Sequence, residues 1–317
     1  MTLRLTVQRA AWLAAIRTTA STLGDFVPVV KGNGYGFGPA TLMQHAIDFA
    51  DTIAVGTIYE AVTVPSAHAP MVLTPVGDDV ASLTIHPRAI LTVGSHNHLT
   101  TLTRLGYRGR VVIKLRSTMN RYGIDEAEVV TLSRAVAQAG LEQVGWSLHP
   151  PLADKDRDHA GEVSKWLSAL SDTLPLYVSH VSAGSLNALR ARHPARRIVA
   201  RSGTELWLSD KAHLRLSAEV LEVRSGVSGV AGYRLVAIPE GASLVMVGAG
   251  TSHGIAPLPN EASPFHFAKQ RMALVEPPHM HTSMLSVPAG SPCPRYGDSV
   301  DVQQPMTRIR PDVIDWV

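Results

Sequence analysis

At 317 residues the chain is long enough for one large domain and a smaller second one, with a sizeable buried core. Its composition, 45% hydrophobic and 17% charged, is that of a globular protein and excludes a disordered chain. The formal net charge is only +3, aromatic residues make up 5%, and no basic run is visible, so we expect no nucleic-acid binding.

Short runs of strand-forming residues alternate with stretches of helical spacing up to about residue 207. Eight runs are predicted to be strands: residues 26–31, 52–57, 70–75, 89–93, 110–115, 143–149, 176–180 and 197–201. Helices are predicted at 126–139, after the capping residue Asp125, and at 162–174. Near-continuous apolar strands, each followed by a helix, favour a parallel sheet, and a count of eight favours a closed (β/α)8 barrel. An open doubly wound sheet is the rival fold, although its dinucleotide fingerprint is absent.

The pattern changes after about residue 212. Five further strands are predicted, separated by turns such as Pro239-Glu240-Gly241: residues 214–224, 232–238, 243–248, 272–277 and 299–303. Proline and glycine are frequent here and no helix is convincing. We therefore expect an α/β barrel domain over residues 1–210, followed by a smaller all-β domain over residues 211–317.

Ionisable residues recur where the predicted barrel strands end. Lys31, Lys114, His149, His180 and Arg201 lie within one or two residues of five such ends. Because barrel enzymes carry their chemistry at the C-terminal ends of the strands, these residues predict a shared pocket.

The first of these residues opens a distinctive loop, Val-Val-Lys-Gly-Asn-Gly-Tyr-Gly-Phe-Gly at 29–38. A lysine at the mouth of a buried strand is costly to desolvate, so it is either paired or used chemically, for example as an imine to an aldehyde cofactor. The four alternating glycines let the backbone approach a ligand closely, and the phenol of Tyr35 can hydrogen-bond an anion.

This loop resembles the Lys-Ala-Asn-Ala-Tyr-Gly-His-Gly segment of the alanine racemase family, which joins a barrel to a β domain and uses pyridoxal 5'-phosphate. The resemblance implies that Lys31 binds the cofactor covalently and acts as one catalytic base, and that Tyr35 contacts its phosphate. Residues 114–123 are similar to the family's Lys-Val-Asp-Thr-Gly-Met-Asn-Arg-Leu-Gly. Arg121 would then contact the cofactor's phenolic oxygen and the substrate carboxylate, and Lys114, often carbamylated in the family, would steady it. Arg116 departs from the family aspartate.

Further cofactor contacts follow from the same resemblance. His149 would lie against the cofactor ring, Ser185 would contact the phosphate, and the amides of Gly203 and Thr204 would face it. Arg201 would face the pyridine nitrogen. An arginine is always protonated, so a donor at that position keeps the ring nitrogen from acquiring its own proton, which weakens the electron sink and favours racemisation over side reactions.

Two segments of the predicted β domain depart from the family pattern. Racemisation by two bases needs a second acid/base, which the family supplies as a tyrosine in Gly-Tyr-Ala-Asp-Gly. The stretch at 247–254 lacks it, and His253 is the nearby group of suitable ordinary pKa. Met280 keeps a substrate-facing position in the resemblance, while His281 replaces an aspartate. His279 and His281 could share a strand face as a metal pair, but two histidines make no site, and no bound metal is expected.

The sequence therefore predicts a pyridoxal-phosphate-dependent amino-acid racemase, an isomerase acting on L- and D-alanine or a similar small amino acid as a homodimer. A pyridoxal-phosphate-binding protein with degenerate activity, in a carrier or regulatory role, is one alternative, and a D-amino-acid lyase or decarboxylase is another. No apolar stretch is long enough to cross a bilayer, the first residues show no signal-peptide pattern, and Cys293 is the single cysteine. We expect no membrane contact and a cytoplasmic protein.

Overall fold

The structure is a computed structural model that describes residues 3–78, 84–152 and 159–317. The chain divides into two compact units. The unit that we call the barrel unit comprises Ile16–Gly32 and Pro39–Trp207. The other, the β unit, comprises the residues up to Ala15, Asn33–Gly38 and Leu208–Val317. The division predicted at residues 210 and 211 stays a prediction, and the sequence gives no sign that the first residues and the 33–38 loop join the β unit.

Eight parallel strands form the barrel unit, after a first strand, β1 (Leu3–Val7), that belongs to the β unit. They are β2 (Phe26–Pro28), β3 (Thr52–Val55), β4 (Ala69–Val72), β5 (Ile90–Val93), β6 (Arg110–Lys114), β7 (Glu142–Ser147), β8 (Leu176–Val178) and β9 (Ile198–Ser202). Their order is β2-β9-β8-β7-β6-β5-β4-β3. A parallel bridge between Val29 and Ala54 joins the two ends of this order. The predicted (β/α)8 barrel is therefore confirmed.

Apolar side chains from the strands fill the barrel, as the near-continuous apolar runs predict. Val27, Ala54, Met71, Val112 and Val199 belong to one buried cluster at its centre. Each of the eight predicted barrel strands overlaps an observed one; seven of the observed strands are shorter than predicted, and β9 has the predicted length but begins one residue later. In β2 the regular ladder stops at Pro28, and only the bridge at Val29 continues it, so Lys31 stands three residues beyond the strand.

Helices follow most of the strands. They are α1 (Arg9–Leu23), α2 (Pro39–Ala46), α3 (His96–Arg104), α4 (Val129–Gln138), α5 (Ala160–Ala169), α6 (Ala183–Arg192) and α7 (Thr204–Trp207). The predicted helix at 126–139 is a 3-10 turn, Glu126–Glu128, continued by α4, and the amide of Asp125 donates to Glu128 Oε2 at 2.9 Å. The helix predicted at 162–174 begins earlier and ends at Ala169, because Leu170 is extended. Among the described residues, no helix has the length and apolarity that crossing a membrane requires.

The β unit contains mostly antiparallel strands, and the all-β prediction is confirmed. They are β10 (Leu214–Ala231), β11 (Val236–Val247), β12 (Phe265–Phe267), β13 (Gln270–Arg271), β14 (Ala273–Leu274), β15 (Ser283–Val287), β16 (Ser299–Val302) and β17 (Val313–Trp316). β10 pairs with β11, β16 and β1, and β1 pairs in parallel with β17. The prediction of a turn at Pro239-Glu240-Gly241 is wrong, because these residues lie within β11. The pairing of β10 with β11 shifts register there, so the ladder continues past the proline and the glycine.

Candidate active site

Lys31 lies just after β2, where its amine is surrounded by positive charge. The side chain keeps solvent access, yet partial burial and the charges of Arg121 and Arg201 lower its pKa, while Glu60 acts in the opposite direction. A lowered pKa increases the neutral fraction of an amine at neutral pH, and the neutral form is the nucleophile.

Lys114, the last residue of β6, is more strongly perturbed. Its side chain is only 4% exposed. Burial lowers its pKa to about 6, helped by the charges of Arg201, Arg121 and Lys31. The basic side chains Lys31, Lys114, Arg121 and Arg201 of the barrel unit thus act on one another. Three of them, Lys31, Lys114 and Arg201, lie near predicted strand ends, and their shared role stays a prediction. A cluster of this charge is suited to anionic ligands.

Arg201, in β9, is fully enclosed. Its Nη1 donates to Ser147 Oγ at 2.9 Å and its Nη2 to the carbonyl of Leu148 at 2.7 Å, so the end of β7 fixes the guanidinium. Burial lowers the pKa to about 10, so the group stays charged at neutral pH. The Nε–H is buried and has no hydrogen-bond partner among the described residues. An unpaired buried donor costs about 1–3 kcal/mol, which makes this atom a place where an acceptor would bind.

Arg121 lies on a loop, residues 115–123, that is held from several sides. Ser117 Oγ donates to the carbonyl of His149 at 2.7 Å. The amide of Thr118 donates to Glu162 Oε1 at 2.6 Å, and its hydroxyl to Glu162 Oε2 at 3.2 Å. Gly123 has φ +119°, and a Cβ there would lie 2.4 Å from the carbonyl carbon of Leu115. The segment after β7, helix α5 and the backbone of Leu115 therefore all constrain this loop.

Arg116, which departs from the family aspartate, has a structural explanation. It forms an ion pair with Asp125, the residue that caps the following turn. Its carbonyl accepts the indole N–H of Trp166 at 3.1 Å. The substitution therefore ties the loop to the helix that follows it.

Two histidines lie together beyond β7 and β8. The rings of His149 and His180 have centroids 4.6 Å apart and are tilted by 56°. His180 Nδ1 lies 2.9 Å from the carbonyl of Pro150, and its φ of +59° is unusual for a residue other than glycine. Burial first, then the charge of Arg201, lowers the pKa of His149 far below its usual range, so its ring is neutral at neutral pH.

The three predicted phosphate contacts of the barrel unit lie at helix starts. Ser185 is in the first turn of α6, and its amide donates to Ser182 Oγ at 3.2 Å. Gly203 lies between β9 and α7, and Thr204 is the first residue of α7. Their roles as phosphate ligands stay predictions.

The glycine loop that follows Lys31 belongs to the β unit from Asn33 onward. Gly34, Gly36 and Gly38 all have positive φ, and a Cβ at Gly36 would lie 2.5 Å from Met306 Cε. The Asn33 side chain donates to the carbonyls of Met306 and Ile309 at 3.0 and 2.6 Å. Tyr35 is 6% exposed with φ +53°, and its role as a phosphate ligand stays a prediction. Close packing therefore requires glycine at 36, whereas positive φ favours it at 34 and 38.

His253 is buried in the β unit, and both ring nitrogens are engaged. The amide of Gly250 donates to its Nδ1 at 3.0 Å, and its Nε2 lies 3.3 Å from Asp312 Oδ2. An imidazole that accepts at Nδ1 carries its proton on Nε2, so the neutral ring has no free lone pair with which to act as a base. The predicted role of His253 as second base stays a prediction that this arrangement does not favour.

The segment around Met280 packs directly against this turn. Met280 is 67% exposed, and its carbonyl accepts from the amide and hydroxyl of Ser252 at 2.9 and 2.7 Å. His279 Nε2 lies 2.6 Å from Glu276 Oε1, whereas His281 Nδ1 lies 3.0 Å from Ser252 Oγ. In the part of the chain that the structure describes, no group of three or more histidine, cysteine or acidic side chains could hold a metal.

Glu60, Ser147 and Glu162 belong to this site and were missed by the sequence reasoning. Ser147 is the last residue of β7, so the rule that function gathers at strand ends could have found it. Glu60 and Glu162 lie in a loop and in a helix, and carry no comparable signal.

Comparisons with known proteins agree with this architecture. The family model described as alanine racemase, N-terminal domain, matches residues 8–209. The alanine racemase of Alcanivorax borkumensis is 26% identical over 238 residues, which cover 71% of this chain and 65% of that protein. The chain thus spans just under two thirds of that relative's length.

Two solved structures share the fold. The biosynthetic alanine racemase of Pseudomonas aeruginosa is 21% identical, with a TM-score of 0.68 and coverage of 96% of this chain and 91% of that one. The alanine racemase of Bartonella henselae with covalently bound pyridoxal phosphate is 18% identical, with a TM-score of 0.71 and the same coverages. On the strength of the family match over most of the barrel unit, this chain belongs to the alanine racemase family.

Proposed function

We propose that the protein is a pyridoxal-phosphate-dependent racemase that interconverts the enantiomers of alanine or a similar small amino acid. The observation that carries the proposal is Arg201, whose Nη atoms are fixed by β7 while its buried Nε–H lacks a partner. A pyridine nitrogen is an acceptor of the kind that this donor needs. Family membership supports the same chemistry.

The charges of the barrel unit fit the cofactor and the substrate together. Lys31, Arg121 and Arg201 supply positive charge beside Lys114, and among the residues that the structure describes Glu60 is the one acidic group that acts on Lys31. Such an excess of cations suits a phosphate dianion and an amino-acid carboxylate. In the proposal Lys31 holds the cofactor, His149 lies against its ring, and Tyr35, Ser185, Gly203 and Thr204 contact its phosphate.

When bound, pyridoxal phosphate supplies an electrophilic carbonyl carbon and a conjugated ring that accepts electron density. The amine of Lys31, with its lowered pKa, takes and returns the proton on the substrate α-carbon. Arg121 holds the substrate carboxylate, from a loop that Ser117 and Glu162 tie to its neighbours. Neutral Lys114 lies beside it without adding a charge at neutral pH, and Arg201 donates to the ring nitrogen and keeps it unprotonated.

Racemisation by two bases also needs a proton donor on the face of the substrate opposite Lys31. His253 is the nearby ionisable group in the segment where the family carries its tyrosine, Met280 keeps a substrate-facing position in the family likeness, and the likeness also implies a homodimer. Because the lone pair of His253 is used by the Gly250 amide, a second candidate function is a family member that binds pyridoxal phosphate and amino acids but racemises slowly or not at all.

A spectroscopic and an isotope measurement separate these functions. Protein incubated with pyridoxal phosphate and dialysed should retain its visible absorbance, and Lys31→Ala should lose it, whereas Lys165→Ala, on an exposed face, should not. In heavy water, a racemase exchanges the α-proton of both D- and L-alanine. Retained cofactor without exchange from either enantiomer supports the binding function, and no retained cofactor in the unaltered protein refutes both.

A further inference from the structure

Glu60 connects two loops of the barrel unit through backbone amides. Its Oε1 accepts from the amide of Gly32 at 3.2 Å, and its Oε2 accepts from the amide of Gly56 at 2.6 Å. Gly32 directly follows Lys31, and Gly56 directly follows β3. A single carboxylate thus fixes the backbone at the residue after Lys31 to the end of the neighbouring strand.

The chain is shaped to admit this carboxylate. A Cβ at Gly56 would lie 2.9 Å from Glu60 Oε2, so any larger residue there would displace it. Gly32 has φ +59°, a conformation in which its amide reaches Oε1 and that other residues rarely adopt. The half-buried carboxylate of Glu60 can therefore occupy this position because residues 32 and 56 are both glycine.

Glu60 also differs in charge from the other groups around Lys31. Arg121 and Arg201 act on the Lys31 amine with positive charge, and Lys114 and Lys31 act on each other. Glu60 is the one acidic group that acts on Lys31 among the described residues. Its negative charge raises the pKa of Lys31, in opposition to the larger lowering by burial and by the two arginines.

We propose that Glu60 is a positioning residue for Lys31, which it serves both by holding the amide of Gly32 and by supplying the counter-charge that keeps the amine basic. The inference rests on the proposed function only in taking Lys31 as the reacting amine. A lysine that must take a proton from carbon needs its basicity preserved among cations that would otherwise remove it. A residue that only held the loop would need its hydrogen bonds to Gly32 and Gly56 but not its negative charge.

The pH dependence of Lys31 acylation in cofactor-free protein tests this. Protein is treated with an amine-acylating reagent across a pH series, and the modified Lys31 peptide is quantified by mass spectrometry. Glu60→Gln should move the labelling midpoint to lower pH and raise the rate below that midpoint by about threefold, the size expected of an interaction between partly exposed charges. Glu60→Asp, which keeps the charge, should restore the midpoint toward that of the unaltered protein.

Controls separate charge from packing. The exposed Lys165 is labelled in the same samples and its rate should not change, and Glu126→Gln removes an exposed acid without moving the Lys31 midpoint. Glu60→Ser provides a second neutral variant should Glu60→Gln not fold. If folded neutral variants label Lys31 with an unchanged midpoint, the counter-charge role is refuted. This measurement needs no turnover, so it decides on Glu60 even if alanine is not racemised.

Discussion

Replacing Lys114 with methionine tests whether burial in the barrel lowers the pKa of this amine. The test is the pH dependence of the free energy of unfolding. The folded pKa of Lys114 is lowered to about 6, mainly by burial, whereas a lysine in the unfolded chain has a pKa of about 10.4. Between these values the unfolded chain binds a proton that the folded protein does not. The contribution of Lys114 to the free energy of unfolding therefore increases as pH rises between the two pKa values, and it becomes constant above the unfolded pKa.

The size of the effect follows from the two pKa values. One pKa unit corresponds to about 1.4 kcal/mol, so the contribution of Lys114 should increase by about 4 kcal/mol from pH 7 to pH 10. Lys114→Met, which has similar length and no charge, should remove this increase. The free energies of unfolding in urea of both proteins, without cofactor and in buffer depleted of carbon dioxide, give the difference at each pH.

Groups that titrate equally in both proteins cancel in that difference. Lys165→Met, on the exposed face of α5, should give a difference that does not vary with pH. A difference for Lys114→Met that is equally flat from pH 7 to pH 10 would show that the buried amine keeps its proton, and would refute a neutral Lys114.

Three further changes test the loop and the buried arginine. Gly123→Ala should lower the free energy of unfolding by about 2 kcal/mol or more, because of its positive φ and the 2.4 Å contact, whereas Gly184→Ala, in a helix with open space, should raise it by about 0.5–1 kcal/mol. Glu162→Ala should speed hydrogen exchange at the Thr118 amide by at least about tenfold and cost about 1–2 kcal/mol. Arg201→Met should abolish retention of pyridoxal phosphate in the dialysis assay while the protein stays folded by circular dichroism; undiminished retention would contradict the proposed ring contact.

The barrel was predictable because each strand carries its own local signal. Eight apolar runs separated by helical stretches leave few other folds, and errors at strand ends do little harm. The run at 26–31 loses its regular pairing at Pro28, yet Lys31 is still placed beside the ends of the other strands. Counting strands was therefore enough to place Lys31, Lys114 and Arg201 at one end of the barrel.

Glu60 and Glu162 could not be found in this way, because each accepts from a backbone amide that lies elsewhere in the sequence, at Gly32 and at Thr118. Glu60 binds amides on two different loops, and Glu162 binds Thr118 across 44 positions. In the β unit, Pro239 and Gly241 predict a turn, but both residues lie within β11, where the pairing with β10 is irregular. Whether His253 has a free nitrogen depends on the Gly250 amide, which the sequence does not reveal.

The pairing of β1 has a consequence for how the β unit can be made. Leu3, Leu5 and Val7 are fully buried, and their strand lies between β10 and β17, whose residues follow some 200 and 300 positions later. A fragment cut near residue 210 would leave both strands with an open edge, a hazard for aggregation. During synthesis on the ribosome, β1 cannot pair with β17 until residues 313–316 have been made. We therefore expect the β unit to fold late and slowly.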